Sequence, residues 1–241
     1  MEVIQHPDSC FRLPGPRARD LAVVLMGIAI SSCASSPPSV PAPPVDAARV
    51  ALRLEFATRV VRPSRILFSW SLRDRDARFQ GRGVARVEPP FKARLDLFDG
   101  NGETIARVAL VDDDLRIPVG TPDGIIPPAE LLWGTLGVFR PGKETTLIGA
   151  ENLEDGRVRL RYQRTDGLVV RYTVRDDGVE EVERIRRGQA VERVTLKQEQ
   201  VDRSPTEATY RNLEAFRELR LSRDSSELVE PYPPDIWLLS P

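Results

Sequence analysis

The hydrophobic pattern of this chain contains one convincing helix. In residues 125–139, IIPPAELLWGTLGVF, apolar side chains at spacings of three and four leave almost no polar face. Pro127 and Pro128 fit only at or before a first helical turn, and Gly137 is typical of a helix end. A helix that is apolar nearly all round should be buried, so we expect it inside a curved sheet. The alternative is an ordinary core helix packed under a sheet.

The other apolar residues mostly alternate with polar ones. Residues 66–72 and 91–98 each combine one apolar and one solvent-facing side, as half-buried strands do. Turns at 99–102 and 112–114, and Asp-Gly and Arg-Gly pairs after residue 145, separate about nine such strands. The pattern predicts a mainly β fold with α: a large curved antiparallel sheet, a half-open β-barrel, wrapped over the apolar helix.

Two segments are ambiguous. Residues 47–61 have helical spacing interrupted by β-branched residues, which fits a short amphipathic helix or a first strand. After Ser204 the pattern blurs, because Leu213, Phe216 and Leu219 suggest a helix whereas Leu219 and Leu221 suggest a strand. We expect the last apolar group, residues 236–239, to dock on the end of the domain.

The N-terminal segment has the pattern of a targeting signal. Three arginines precede an apolar run at 21–30, which has the length of a signal-peptide core and is too short to span a membrane. The following residues, Ile30-Ser-Ser32-Cys33, resemble the lipobox of bacterial lipoproteins. The resemblance implies cleavage between Ser32 and Cys33 and diacylglycerol on Cys33. The alternative is an ordinary secretory signal that ends near a cysteine.

These features divide the chain into three parts. We expect a lipoprotein signal peptide at 1–32, a lipidated cysteine with a Pro/Ser-rich extended tether at 33–46, and a single β domain at 47–241. Cleavage would remove Cys10, so the mature chain could form no internal disulfide. Ala34 stands where an aspartate retains lipoproteins of enteric bacteria at the inner membrane. By resemblance, the protein should lie on the periplasmic face of the outer membrane.

Composition excludes several classes of function. The only histidine is His6 in the signal segment, and lipid would occupy Cys33, the one cysteine left after cleavage. Without histidine or a free cysteine, the mature domain cannot form a Ser-His-Asp triad, a usual zinc site or a cysteine nucleophile. Residues 137–143 match part of a phosphate loop, but Glu144 replaces the Ser/Thr that binds magnesium. Acidic pairs at 176–177 and 180–181 fit hairpin tips. The net charge of −1 does not indicate a nucleic-acid surface. We expect no enzyme activity, metal or cofactor.

The order of these segments is similar to a known family. LFSWSL, GRGVARVEPPFKARLDLF, DGNGE, ARVALVDDDLRI and IPPAELLWGTLG together resemble the core of the LolA/LolB lipoprotein-carrier superfamily, particularly its LolB-like outer-membrane lipoproteins, over residues 52–138. The resemblance implies a half-open barrel with a helix-lined apolar cavity. The proline, leucines, tryptophan and glycine of the family's helix segment correspond to Pro127, Leu131, Leu132, Trp133 and Gly137. The polar loops 99–102 and 112–114 lack the exposed leucine that LolB-like members use for membrane insertion.

Two functional hypotheses follow. In the first, the protein is a carrier that shelters acyl chains of a lipoprotein or lipid and assists outer-membrane localisation. The expected cavity residues are Phe68, Trp70, Leu95, Leu97, Leu132, Trp133 and Leu136. In the second, a structural or interaction lipoprotein has the same fold filled by its own side chains. It would bind a protein partner through edge strands or the arginine-rich face at 157–164. In both cases we expect a monomer attached to the membrane by its N-terminal lipid.

Overall fold

The computed structural model describes residues 45–121, 124–198 and 204–239. Within these residues, twelve strands form one antiparallel sheet, in the order β5-β4-β3-β2-β1-β12-β11-β10-β9-β8-β7-β6. The strands are β1 (Ser64–Asp74), β2 (Ala77–Glu88), β3 (Lys92–Phe98), β4 (Thr104–Val111), β5 (Asp114–Arg116), β6 (Thr145–Asn152), β7 (Val158–Arg164), β8 (Val169–Arg175), β9 (Gly178–Arg186), β10 (Gln189–Gln198), β11 (Pro205–Asn212) and β12 (Arg217–Leu228). Because β5 and β6 remain separate edges, the curved sheet is unclosed. The predicted sheet architecture is confirmed.

Strand β1 lies at the centre of the sheet and pairs with β2 and β12 along its whole length. Its aromatic side chains lie over two glycines of β2, since Phe68 is opposite Gly83 and Trp70 is opposite Gly81. A Cβ atom on Gly83 would lie 2.3 Å from Cζ of Phe68, so a larger residue there would displace the ring. The indole N–H of Trp70 donates to the carbonyl oxygen of Phe98 at 3.0 Å, which fixes the ring against β3. The glycines of β2 therefore make room for aromatic rings on the inner face.

The helix inside the sheet, α2 (Ala129–Thr135), is shorter than the predicted span of residues 125–139. Pro128 is the N-cap and is extended, with ψ 160°, so the residues before it cannot join the helix. Gly137 ends the helix at φ +76°, and its N–H donates to the Gly134 carbonyl at 2.8 Å. Helix α2 packs on β9, β10 and β11, where a Cβ at Gly134 would lie 2.9 Å from Val182.

Residues 47–58 form a helix, so the helical alternative for the first segment is correct. In α1 (Ala47–Thr58), the side chain of Asp46 accepts a hydrogen bond from the Arg49 N–H at 3.0 Å and caps the first turn. Leu54 is fully buried. The Thr58 hydroxyl donates to the Leu54 carbonyl and accepts from the Phe139 N–H at 2.9 Å, which ties α1 to the segment after α2. No helix in the described ranges is long and apolar enough to cross a membrane.

The C-terminal region differs from the helical expectation. Residues 213–219 connect β11 to β12 and begin β12, so the helix suggested by Leu213, Phe216 and Leu219 is wrong. After β12, a 3-10 helix (Pro234–Trp237) packs against β3 and β4 and buries Trp237. Arg94 donates to the Ile236 carbonyl at 2.9 Å and holds this segment on the outer face of the sheet.

The alternation of residues 91–98 predicted that the outer face of the sheet is exposed to solvent. The structure differs, because some charged residues on this face are buried. Asp96 is only 3% exposed, because it pairs with Arg86 and Arg94 under the C-terminal segment. On the other half of the sheet Glu183 is equally buried, and it accepts hydrogen bonds from Arg171 at 2.6 Å and from Arg193 at 2.6 Å. Sequence patterns assign charged residues to solvent, whereas here arginines on neighbouring strands cover and neutralise the acids.

Candidate ligand cavity

An apolar recess lies between the C-terminal end of α2 and the central strands of the sheet. Its inner part has a volume of about 40 Å³ and is bordered by Thr135 and Leu136, by side chains of β1, β2, β3 and β12, and by the start of β11. Its outer part has a volume of about 460 Å³ and reaches the surface between the last turn of α1 and the ends of β1 and β12. Ile66, Leu136 and Ser204 border both parts, which therefore adjoin.

The structure brings three of the seven expected cavity residues to this recess. Phe68, Leu95 and Leu136 border the inner part. The other four are packed in the surrounding core with at most 4% exposure: Trp70, Leu97, Leu132 and Trp133. One face of the α2 region thus borders the recess while the rest of the helix is enclosed.

Several recess residues were not among those expected from the sequence. Ala85 and Ala208 are small, inward-facing residues on β2 and β11, and Leu221 lies opposite Ala208 on β12. Ile66 begins the alternating pattern of β1, directly before the larger aromatic residues that the sequence favours as cavity residues. The available signal was small residues at inward positions, which leave space beside larger neighbours. The ambiguous pattern after Ser204 hid the contribution of β11 and β12.

A buried charge network holds the N-terminal end of α2 within the sheet. The carboxylate of Glu130, only 6% exposed, lies 3.2 Å from Nε of Arg184 and 3.4 Å from Nη1 of Arg164. Arg184 also pairs with Glu192, which accepts the hydroxyl hydrogen bond of Tyr210 at 2.6 Å. Burial, and then the hydrogen bond to Glu192, raise the pKa of Tyr210. Because these oppositely charged side chains are paired in a buried site of low dielectric constant, they hold the N-terminal end of α2 in a fixed position on the sheet.

The turn between β4 and β5 holds the middle of α2 and the segment that follows it. The indole N–H of Trp133 donates to the Asp112 carbonyl at 2.7 Å, and its ring packs edge-on against Phe91. Arg140 donates to Asp112 and Asp113 at 3.0 Å each, with its guanidinium 3.9 Å from the centre of the Phe91 ring. The polar turn of residues 112–114 is therefore a clamp on the helix segment. The C-terminal end of α2 is left to face the recess.

The recess has the chemistry of an apolar binding site. Aliphatic and aromatic side chains make up most of the border of the inner part, where Glu207 and Arg223 are the charged residues. The charged or polar groups of Arg59, Arg62, Asp177 and Gln198 border the outer part. A volume of about 460 Å³ falls in the range of about 300 to 1,000 Å³ typical of small-molecule sites. Across residues 45–121, 124–198 and 204–239, no group of three or more His, Cys, Asp or Glu side chains could hold a metal ion.

The predicted cleavage site at Ser32 and the predicted lipidation site at Cys33 lie outside the described residues. The signal segment and most of the tether lie outside them as well, so the proposed domain boundaries at 32 and 46 stay predictions.

Comparison with known proteins places this geometry in a known fold. No protein-family model matches the chain, and no curated protein matches it significantly. Among solved structures, the chain is similar to a LolA superfamily protein from Nitrosomonas europaea, with a TM-score of 0.55 at 10% identity over 80% of this chain and 97% of that one. This chain has a LolA-like fold. At 10% identity, the LolA-like assignment concerns the fold alone.

Two further structures have lower scores. A domain assigned as an outer membrane lipoprotein-sorting protein from Vibrio parahaemolyticus has a TM-score of 0.44 at 10% identity, over 78% of this chain and 94% of that one. MucB in the Pseudomonas aeruginosa MucA/MucB complex has a TM-score of 0.33 at 15% identity, over 81% of this chain and 62% of that one. Both scores are below 0.5, so the LolA-like assignment rests on the first comparison. The LolA/LolB-like fold predicted from the strand order is confirmed.

Proposed function

We propose that this protein is a lipid-anchored, non-enzymatic carrier of the cell envelope that shelters an acyl chain of a lipoprotein or lipid in the recess beside α2. One observation carries the proposal: an apolar recess inside the LolA-like sheet opens to the surface next to the last turn of α1. Such a carrier would assist the localisation of lipoproteins or lipids to the outer membrane. It requires no cofactor.

The volumes of the two parts of the recess suggest how an acyl chain would bind. The outer part offers room for a ligand segment, whereas the inner part, at about 40 Å³, accepts only a few atoms. Leu136 borders both parts and is half-buried at the C-cap of α2, whereas Leu131 and Leu132 on the same helix are fully buried. Each methylene that enters the recess contributes about 0.8 kcal/mol. The terminal carbons of an acyl chain would enter first, with the polar end at the outer part.

The expected N-terminal features supply the setting. A lipidated Cys33 and an extended tether up to residue 46 would attach the domain to the periplasmic face of the outer membrane. Acylated cargo would then exchange close to the membrane surface. We propose that the protein acts as a monomer and does not bind nucleic acid.

The second candidate is an interaction lipoprotein without a cavity ligand. The small inner volume and the four expected cavity residues that lie in the core favour it. Strand β6 is an edge of the sheet, so a partner could add a strand there. Binding of an acyl chain separates the two candidates.

A pair of substitutions on β1 tests the carrier. Ile66 borders both parts of the recess, whereas Leu67 points to the opposite face and is 40% exposed. Ile66→Trp should fill the junction and exclude at least about two methylenes, which corresponds to about tenfold weaker binding. Leu67→Trp adds the same ring outside the recess, so binding should change less than about twofold.

The measurement is displacement of a fluorescent fatty-acyl probe by unlabelled fatty acid. The protein is the mature chain, residues 33–241, with Cys33→Ser so that it carries no lipid. No saturable probe binding by this chain, or equal binding by both tryptophan variants, would contradict the carrier function and favour the interaction lipoprotein.

A further inference from the structure

Helix α1 has a second apolar surface that faces solvent. Leu54 is fully buried against the core, whereas Leu52 and Phe56, four residues apart, are each 68% exposed. Val61, just after the helix, is also 68% exposed. Scattered apolar residues need no explanation, but three large ones close together along a single segment do.

Arginines extend this surface in both directions. Arg49, Leu52, Phe56 and Arg59 follow at i, i+3, i+7 and i+10, so they form one stripe along the helix. The guanidinium of Arg59 lies 4.2 Å from the centre of the Phe56 ring. We refer to Arg49, Leu52, Phe56, Arg59 and Val61 as the α1 outer face.

The local charge is positive although the whole chain has a net charge of −1. Between residues 46 and 62 there are four arginines and two acids. The acids are Asp46, which caps the helix, and the exposed Glu55, while one of the arginines, Arg53, pairs with Asp177 at 3.0 Å. The three remaining arginines, Arg49, Arg59 and Arg62, therefore exceed the two acids by one positive charge and flank the exposed apolar residues along the chain.

The α1 outer face adjoins the opening of the recess. Residues 57–62 border the outer part of the recess, together with Ser64 and Leu228 at the ends of β1 and β12. Helix α1 also begins directly after the tether that would carry the lipid anchor. If the α1 outer face contacts the membrane, the opening of the recess therefore lies close to the membrane surface.

We propose that the α1 outer face binds the surface of a bilayer that contains anionic phospholipids and holds the opening of the recess against it. Leucine and phenylalanine side chains would enter the boundary between headgroups and acyl chains, while the arginines contact headgroup phosphates. A membrane surface matches this combination of exposed apolar and cationic groups. The inference rests on the proposed function, because it supplies the orientation in which an acyl chain passes between bilayer and recess.

Vesicle co-sedimentation tests the proposal with the Cys33→Ser mature chain, which lacks the anchor. The vesicles are phosphatidylcholine with either no phosphatidylglycerol, which leaves the surface without net charge, or about 30% phosphatidylglycerol, which makes the surface anionic. The chain should bind the anionic vesicles and lose binding as salt is raised. Arg49→Gln, Arg59→Gln and Arg62→Gln combined should weaken binding by about a hundredfold, at about fivefold for each arginine.

Matched double variants separate this face from exposed apolar residues elsewhere. Leu52→Ser with Phe56→Ser should weaken vesicle binding at least about tenfold. The control is Phe79→Ser with Phe216→Ser, whose side chains are 54% and 79% exposed near the opposite end of β1. It should bind vesicles like the parent chain. All four residues are exposed, so urea midpoints should stay unchanged and show that each variant is folded.

The outcomes are distinct for the two proposals. The membrane-facing role of α1 would be overturned if the parent chain did not bind anionic vesicles. It would also be overturned if the Leu52/Phe56 variant bound as well as the parent chain, or if the Phe79/Phe216 control variant lost binding. The Leu52/Phe56 and Phe79/Phe216 double variants, whose residues border neither part of the recess, are also assayed with the acyl probe, and probe binding should change less than about twofold. If the parent chain binds vesicles through α1 but not the probe, the carrier function fails while the membrane contact stands.

Discussion

Leu132→Ala and Leu136→Ala remove the same atoms from different surroundings. The difference between their losses of unfolding free energy therefore shows whether Leu136 borders an open recess. Leu132 is fully buried within α2, whereas Leu136 is half-buried at the helix C-cap and borders both parts of the recess. A leucine enclosed on all sides costs about 2 to 5 kcal/mol when truncated, because a new cavity adds to the lost transfer free energy. At Leu136 one side already borders open volume, so little new cavity forms. The cost there should be about 1 kcal/mol.

The assay is urea unfolding of the Cys33→Ser mature chain and the two variants, followed by tryptophan fluorescence. All three tryptophans are buried, with at most 4% exposure, so their emission should report global unfolding. With equal slopes, the midpoint shifts give the two free-energy differences directly. A loss of more than about 2 kcal/mol for Leu136→Ala, equal to that of Leu132→Ala, would show that Leu136 is enclosed on all sides and does not border an open recess.

Three further predictions concern other parts of the molecule. Glu130→Gln should lower the unfolding free energy by about 1 to 3 kcal/mol in the same assay, because it removes the buried negative charge between Arg184 and Arg164; an unchanged midpoint would contradict the anchoring role of this network. Burial raises the pKa of Tyr162 to about 12 from 10.0, so the stability it contributes is complete below about pH 10 and is lost as the pH rises towards 12. Between pH 9 and 11.5, the unfolding free energy of Tyr162→Phe should therefore fall by about 2 kcal/mol less than that of the parent chain. Identical decreases in both proteins would contradict the raised pKa of Tyr162. The wild-type protein should carry an acyl mass and stay in the membrane pellet after a high-salt wash, whereas Cys33→Ser should not; retention of the variant with no acyl mass on the wild type would show that the lipoprotein assignment is wrong.

The sheet was predictable because its strands obey a simple physical rule. An antiparallel strand with one covered face alternates apolar and polar residues, and the sequences of β1 and β3 show this alternation clearly. Strands β11 and β12 were not predictable in this way. Their inward positions include Ala208 and Tyr210, and β12 has a run of polar residues between Leu221 and its last residue, Leu228. Periodicity alone therefore could not separate helix from strand there.

The helix ends and the recess depend on interactions that span the chain. Periodicity extended α2 in both directions, but Pro128 and Gly137 limit it to seven residues. The sequence favours large apolar residues for the cavity, but Trp133 is fully enclosed and donates its indole N–H to the Asp112 carbonyl on a distant turn. The space itself comes from small residues such as Ala85 and Ala208, brought together by the pairing of distant strands. A linear pattern identifies residues that avoid water, but the three-dimensional packing decides which of them border a void.

The most direct test of the carrier function is native mass spectrometry of the untethered mature chain isolated from the periplasm of cells that produce it. The parent chain and Leu67→Trp should each carry the additional mass of a fatty acid or phospholipid. The same mass should be strongly reduced on Ile66→Trp, whose indole would occupy the junction of the two parts of the recess. A parent chain that carries no acyl-containing ligand, and acquires none when incubated with phospholipid, would contradict the carrier function.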